Sequence, residues 1–172
     1  MDRSRAVYRS VAAGATQTIP FVEPSRARPP ATRQLMYGRE ATRGMRLHHA
    51  GIATRDVDAL AERFAALLDG AVVHEETLEA MCVVFVELEG GATLELLEPT
   101  GDGPIADYLD ASGSGVHHLA FATDAIGATL DRARGLGVEL VDESPRPGAR
   151  GHRVAFCHPR STGGVLVEFV ET

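Results

Sequence analysis

A pattern that begins with two adjacent histidines occurs twice in the chain and constrains its fold more than any other feature. Residues 47–54 read LHHAGIAT, and residues 116–123 read VHHLAFAT. An amphipathic helical pattern follows each copy, and strand-like apolar segments follow each helix. The chain of 172 residues is therefore predicted to contain a duplicated β-α-β-β-β unit.

The spacing between matched residues supports this duplication. His49 and His118 are 69 positions apart, and Glu95 and Glu168 are 73 positions apart, so the two copies differ by short loop insertions. A unit of about 60 residues is marginal for an independent core, and we expect the two copies to share one. The predicted fold is α+β, with two tandem βαβββ modules forming a cupped mixed sheet that has helices outside. The modules are 45–99 and 115–172, joined by a linker over 100–114.

In the second module, the last three strands are predicted from three apolar segments. These segments read VELVDES, HRVAFCHP and GGVLVEFVE, over residues 138–144, 152–159 and 163–171. In the first module the helix pattern starts after Asp56, which is a suitable N-cap residue, and Gly70 is expected to end it.

Residues 1–44 differ in composition from the repeated part of the chain. They include the proline- and arginine-rich segment PSRARPPATRQ and show no apolar periodicity. They contain eight arginines against three acidic residues, a charge of +5, and the remainder contains 9 arginines against 21 acidic residues, a charge of -12; together these give -7. We interpret 1–44 as a disordered or mis-called N-terminal extension, with Met36 or Met45 as the true start, although an arginine-rich transit segment fits the composition as well.

The charge and the apolar pattern argue against several classes of protein. Residues 45–172 are acidic overall and so lack the positively charged surface that is typical of a nucleic-acid-binding protein. No apolar run approaches the ~18 residues of a transmembrane helix. Cys82 and Cys157 each lie in an apolar segment, which favours small buried thiols in a reducing, cytoplasmic compartment over a disulfide framework.

Four residues at equivalent positions of the two modules predict a metal site. They are His49 and His118 on the first strands and Glu95 and Glu168 on the last strands. A single such residue is more often structural, but an ionised carboxylate on a buried strand costs several kcal/mol unless it is paired or bound to a metal. Two imidazoles and two carboxylates suit a divalent first-row ion and leave positions open for water or substrate.

Strand alternation indicates which histidine of each pair faces this site. Gly51 and Ala120 lie on the same face as the second histidine of each pair, and small residues there leave a hollow beside it. His48 and His117 are therefore expected to point away from the site and to be structural.

A loop before the last strand has the composition of an anion-binding segment. Hydroxyl groups, flexible backbone N–H groups and a guanidinium suit an acidic or phosphate-bearing ligand. An ordinary hairpin with turn glycines fits the same composition. The candidate substrate-binding residues are Arg160, Ser161, Thr162, Gly163 and Gly164.

Six segments carry a resemblance to a known family. HAGIAT, LELLEP, PIADYL, GVHHLAF, PRPGARG and AFCHPRSTGGVLVE resemble the vicinal oxygen chelate (glyoxalase/dioxygenase) superfamily and, within it, the methylmalonyl-CoA epimerase family, across residues 45–171. The resemblance implies interconversion of (2R)- and (2S)-methylmalonyl-CoA in propionate metabolism, by removal of the C2 proton through a metal-stabilised enolate. The implied cofactor is Co²⁺, Mn²⁺, Zn²⁺ or Ni²⁺, bound by the four residues above, and the implied partners are an acyl-CoA substrate and a second copy of the chain.

The resemblance also assigns one catalytic group. Glu168 occupies the position of a catalytic acid or base of the family, in addition to its role as a ligand. Some members have a second glutamate base on a following strand, where Val84 stands in this chain. Glu76, Glu79, Glu87 or a water molecule are the alternatives for the second group.

Three other functions share the fold. A lactoylglutathione lyase of the glyoxalase I type would use the same two histidines and two glutamates. An extradiol dioxygenase would use His49, His118 and Glu168 as a facial triad around iron, which Glu95 argues against because it would fill an open position. A non-catalytic ligand-binding module would need no metal.

Overall fold

The computed structural model describes residues 45–172, and the interpretation of 1–44 lies outside these residues. Their regular elements alternate as the duplication predicts. They are β1 (Arg46–Ala53), α1 (Val57–Leu68), β2 (Ala71–Leu78), β3 (Met81–Glu87), β4 (Thr93–Pro99), α2 (Pro104–Ser112), β5 (Gly115–Ala122), α3 (Ile126–Gly135), β6 (Arg146–Pro147), β7 (Arg153–Cys157) and β8 (Val167–Glu171).

All eight strands belong to one mixed sheet. Its order is β2-β3-β4-β1-β5-β8-β7-β6. The first strand of each module pairs in parallel with the last strand of the same module, β1 with β4 and β5 with β8. The modules meet where β1 and β5 pair antiparallel, so the predicted single cupped sheet is confirmed.

Helix α1 covers one face of the first module. Asp56 caps its N-terminus as predicted, since its carboxylate accepts a hydrogen bond of 2.9 Å from the Ala59 amide. The left-handed residue at its C-terminus is Asp69, with φ of 53°, one position before the predicted Gly70. Val57 and Ala61 pack against buried residues of β3 and β4. No helix within residues 45–172 is long and apolar enough to cross a bilayer.

A second glutamate in each module holds a helix against the sheet. The Val57 amide at the start of α1 donates to Oε2 of Glu98 at 3.0 Å. The Ile126 amide at the start of α3 donates to Oε1 of Glu171 at 3.0 Å. Each of these glutamates follows a predicted metal ligand by three positions, so the E-x-x-E spacing in both modules supplies one residue to the site and one to a helix end.

The two modules differ at one predicted strand. The expected strand over 138–144 is wrong: this segment forms a single bridge at Leu140, and the ordered strand is the two-residue β6. The carboxylate of Asp142 accepts a hydrogen bond of 3.0 Å from the Phe156 amide. The Asp142 side chain thus occupies a backbone donor of β7 that a carbonyl of the predicted strand would need, and Pro145 has no N–H group to donate. A regular ladder of backbone hydrogen bonds therefore does not form.

Candidate metal centre

The four predicted ligands lie on one face of the sheet, in two rows that cross the seam between the modules. Each row crosses three neighbouring strands, with a histidine and a glutamate on the outer two and a small residue on the strand between them. The rows are Glu95, Gly51 and His118 on β4, β1 and β5, and His49, Ala120 and Glu168 on β1, β5 and β8.

The side-chain ends of the four residues converge on one point. Nε2 of His49 lies 3.0 Å from Nε2 of His118, 3.2 Å from Oε2 of Glu95 and 3.1 Å from Oε2 of Glu168. Nε2 of His118 lies 3.2 Å from the same two oxygens. All four donor atoms are within 4.8 Å of one another, and no residue of the four is more than 7% exposed.

These distances and donors fit a divalent ion. Two ligands at right angles, each about 2.1 Å from a metal, are about 3.0 Å apart, which matches the observed spacing. Oε2 of Glu168 is fully buried and has no hydrogen bond of acceptable geometry among the described residues, although it lies near both histidines. Nitrogen and oxygen donors of this kind suit first-row metals. The group can therefore bind a metal ion.

The four groups shift one another's pKa strongly when only protons compete for the site. Burial lowers the pKa of His49, but the carboxylates of Glu168 and Glu95 outweigh burial and raise it to about 9. Burial raises the pKa of Glu95, and the two histidines outweigh it and lower the pKa to about 2. Against the effect of burial, the two carboxylates also raise the pKa of His118, and the two histidines also lower the pKa of Glu168. Both carboxylates are therefore ionised at neutral pH, ready to bind a cation.

His48 and His117 were expected to point away from the site, but the structure places both in contact with the predicted ligands. The register between β1 and β5 skips His48 on one strand and His117 on the other, so each is the extra residue of a β-bulge. A bulge redirects a side chain that simple alternation would send to the opposite face. Nδ1 of His48 lies 2.8 Å from Nδ1 of His49, and Nδ1 of His117 lies 3.0 Å from Nδ1 of His118. Burial and the adjacent histidine lower the pKa of His48 and of His117 to about 4, so both are neutral at pH 7.

Two phenylalanines that the sequence analysis did not select also line the site. Phe85 is edge-on to His49, with ring centroids 6.1 Å apart, and Phe156 is edge-on to His118 at 5.5 Å. The signal was available, since VVF at 83–85 and VAF at 154–156 are matched segments of the duplication. These rings keep water from one side of each imidazole, which strengthens electrostatic interactions at the centre.

The second module contributes two arginines near these rings. The guanidinium of Arg150 lies 5.4 Å from the ring centroid of Phe85, and that of Arg146 lies 5.3 Å from the centroid of Phe156. The backbone amide of Arg150 donates to Oε1 of Glu76 at 2.6 Å. A cation therefore lies over the aromatic neighbour of each ligand histidine.

The alternatives for the second acid or base differ in their positions. Glu79 is exposed in the turn between β2 and β3, and Glu87 is exposed at the end of β3. Val84 is buried on the face that α1 covers. Glu76 is half-buried, and because it pairs with Val83, which lies two residues from Phe85 on β3, it shares the face of the metal centre.

The five candidate substrate-binding residues lie in the turn that leads from β7 to β8. Oγ of Ser161 accepts a hydrogen bond of 3.0 Å from the Glu139 amide, and the Thr162 hydroxyl donates to the carbonyl oxygens of His158 and Val165. Both hydroxyls therefore have partners within the protein. Arg160 is largely exposed and lies near Glu139, and Gly163 and Gly164 both have positive φ angles.

Comparison with known proteins gives consistent matches over the described domain. The family model of the glyoxalase/bleomycin resistance protein/dioxygenase superfamily matches residues 48–156. An uncharacterised protein of Bacillus subtilis, YqjC, is 38% identical over 73% of this chain and 91% of its own length. The ethylmalonyl-CoA/methylmalonyl-CoA epimerase of Cereibacter sphaeroides is 34% identical over 72% of this chain and 95% of its own length.

A solved structure agrees with these relatives. A variant of the Streptomyces coelicolor methylmalonyl-CoA epimerase, with threonine in place of one serine and in complex with 2-nitronate-propionyl-CoA, superposes with a TM-score of 0.70. It is 36% identical, and the match covers 74% of this chain and 94% of that chain. The chain thus belongs to the glyoxalase/bleomycin resistance protein/dioxygenase superfamily and, within it, to the methylmalonyl-CoA epimerase family.

Proposed function

We propose that the protein is an epimerase that interconverts (2R)- and (2S)-methylmalonyl-CoA. The observation that carries this proposal is the buried set of two histidines and two glutamates, converging within 4.8 Å on one face of the sheet. The two relatives described above that have an assigned activity are epimerases of CoA thioesters. That favours the epimerase over the lactoylglutathione lyase, the extradiol dioxygenase and the ligand-binding module.

The reaction requires removal and return of one proton. The C2 proton of the substrate lies between a thioester carbonyl and a carboxylate, so its removal places negative charge on the thioester oxygen. His49, Glu95, His118 and Glu168 would hold a divalent ion, which would supply Lewis-acid stabilisation of that charge. Co²⁺, Mn²⁺, Zn²⁺ and Ni²⁺ are the candidates for this ion. The protein's own residues exclude water, orient the substrate and move the proton.

Glu168 is the proposed acid or base on one side of C2. Its lowered pKa keeps it ionised at neutral pH, so it can accept a proton. Its position at the end of a row across β1, β5 and β8 fixes it relative to the ligand His49.

Glu76 is the proposed acid or base on the other side. It shares the face of the metal centre, in contrast to Val84, and two neighbours orient its carboxylate: the Arg150 amide at 2.6 Å and Nε2 of His74 at 3.1 Å. A proton removed on one face and returned on the other inverts C2.

The turn between β7 and β8 is proposed to bind the anionic part of coenzyme A. Arg160 is exposed and supplies the positive charge, and Gly163 and Gly164, which have positive φ angles, are exposed beside it. Ser161 and Thr162 shape this turn through their hydrogen bonds.

Deuterium exchange tests the proposed function. One epimer is incubated in D₂O with protein loaded with Co²⁺, and C2 is followed by NMR, with an EDTA-treated sample as the control. We expect rapid incorporation of deuterium at C2, reduced at least about 10²-fold in Glu168→Gln. Glu89→Gln changes an exposed glutamate in the turn between β3 and β4 and should retain full activity. Exchange no faster than in the EDTA control would refute the epimerase.

We also propose that the protein is a cytoplasmic homodimer with a role in propionate metabolism. The family membership supports the dimer and the metabolic role, and the free thiols of Cys82 and Cys157 support a reducing compartment. Sedimentation velocity at micromolar concentration checks the dimer, which a single species of 18.3 kDa would exclude. Fractionation of cells checks the compartment.

A further inference from the structure

The histidine that precedes each predicted ligand is placed to act on that ligand's second ring nitrogen. His48 and His117 are bulge residues, and their Nδ1 atoms lie 2.8 Å and 3.0 Å from Nδ1 of His49 and His118. The same contact thus occurs in both modules, at positions related by the duplication. Two independent occurrences at hydrogen-bond distance indicate a function beyond packing.

The chemistry of imidazole specifies what this contact does. Nε2 of His49 and of His118 points into the donor cluster. A neutral imidazole carries one hydrogen, and an Nε2 that binds a metal has none, so the hydrogen must lie on Nδ1. Histidine ligands of metals generally donate that N–H to an acceptor, which fixes the ring's tautomer and orientation.

We propose that His48 and His117 are positioning residues that accept hydrogen bonds from Nδ1–H of His49 and His118, and so hold each ligand with Nε2 free for the metal. Each acceptor carries its own hydrogen on Nε2, which leaves its Nδ1 lone pair available. This inference rests on the metal centre of the proposed function.

Each positioning histidine is in turn held by an aromatic ring from another element. His152, which follows the 3₁₀ turn at Ala149–Gly151, is edge-on to His48 with ring centroids 5.6 Å apart. Tyr108 of α2 is edge-on to His117 at 4.9 Å, and its hydroxyl donates to the carbonyl oxygen of Val116 at 2.9 Å. These contacts restrict the rotation of each imidazole and so keep its Nδ1 directed at the ligand histidine.

The test compares two substitutions at each position. His48→Phe keeps a ring but removes the acceptor, whereas His48→Asn places an amide oxygen near the former Nδ1 position. The dissociation constant for Co²⁺ is measured by competition with a chelator and by the d–d absorption of the bound ion. We expect His48→Phe to weaken binding about 10- to 100-fold and His48→Asn to restore most of the affinity. His117→Phe and His117→Asn should behave in the same way.

A matched control is His74→Phe, which replaces another half-buried histidine on the face of the sheet that carries the metal centre. His74 contacts Phe85 and Glu76, and its replacement should leave the Co²⁺ affinity unchanged. Thermal unfolding of the metal-free variants reports whether each is folded, and the His117 pair provides a second measurement if a His48 variant is not. In Zn²⁺-loaded, ¹⁵N-labelled protein, the Nδ1–H signal of His49 should exchange slowly with solvent and become fast in His48→Phe.

The outcomes separate this inference from the proposed function. Wild-type affinity in folded His48→Phe and His117→Phe would overturn it, as would equal losses in the Phe and Asn variants. If wild-type protein binds Co²⁺ but does not exchange deuterium, the epimerase is refuted and the positioning role is still decided by the affinities. If wild-type protein binds no metal ion, both are overturned.

Discussion

Gly51 gives a direct test of how the centre is built, because it is the residue beneath the His118 ring. A Cβ atom added at Gly51 would lie 2.1 Å from Cε1, 2.4 Å from Nδ1 and 2.5 Å from Nε2 of His118. Ordinary contacts with a Cβ begin at 3.4 Å. In Gly51→Ala the ring must therefore move by about 1.3 Å (3.4 minus 2.1) or the strands must separate.

The ring of His118 has little room for such a movement. It is edge-on to Phe156, and its Nδ1 contacts His117. A displacement above 1 Å takes Nε2 out of a cluster whose contacts are 3.0–3.2 Å. Because a 1 Å error in the position of a catalytic group can cost about 10²-fold in rate, we expect the Co²⁺ affinity and the turnover rate each to fall by at least about that factor. Overpacking should destabilise the metal-free protein by about 1–3 kcal/mol.

The assay measures Co²⁺ binding by calorimetry and unfolding by urea in the same variants. Gly127→Ala is the control, because a Cβ there meets nothing within 4 Å on the exposed side of α3; it should leave metal binding unchanged and stabilise the protein by about 0.4–1 kcal/mol. A folded Gly51→Ala protein that binds Co²⁺ as tightly as wild type would refute the steric reasoning.

Four further predictions concern His49, Glu98 and Arg160. Metal binding should release protons, since the pKa of His49 in the metal-free protein is about 9 and a histidine must lose its extra proton to bind a metal. Titrations should therefore show the Co²⁺ affinity rising between about pH 6 and pH 9. By linkage, the stability that protonated His49 gives the metal-free protein is complete below about pH 6.5 and lost as pH rises through about 9, so Co²⁺ should raise the Tm more at pH 9 than at pH 6. Glu98→Ala removes the acceptor of the Val57 amide and should lower the free energy of unfolding by about 1 kcal/mol in urea without changing Co²⁺ affinity. Arg160→Gln should weaken coenzyme A binding a few-fold by calorimetry, again with unchanged Co²⁺ affinity.

The duplication made the succession of helix and strands along each module, apart from the strand at 138–144, and the four donors predictable from sequence. Their equivalence depends on matched positions, which a repeat displays directly. The same reasoning selected Gly51 and Ala120 as small residues beside the ligands, and the structure places each of them between a histidine and a glutamate.

The features that the sequence analysis missed depend on interactions between segments distant in sequence. The capping roles of Glu98 and Glu171 became visible only when helix starts and strand ends were in contact. The strand expected over 138–144 failed because the Asp142 carboxylate competes for a backbone donor of β7, and residue periodicity contains no information on such competition. Bulges are equally invisible to a period-two pattern.

The two bulges explain how both ligand histidines come to share one face. Outside the bulges β1 and β5 pair in one register, with Leu47 opposite Phe121 and Ala53 opposite Gly115. Continued without interruption, that register would set His49 opposite Leu119 and Gly51 opposite His117. His118 would then lie opposite Ala50, and because opposite residues share a face while neighbours on a strand alternate, the two ligand histidines would point to opposite faces of the sheet. The extra residue at His48 shifts the pairing by one, which sets His49 opposite Ala120 and Gly51 opposite His118, and the extra residue at His117 restores it. The two residues that create the local register are also those whose Nδ1 atoms contact the ligands, so the doubled histidines serve the metal centre through the backbone and through the side chain.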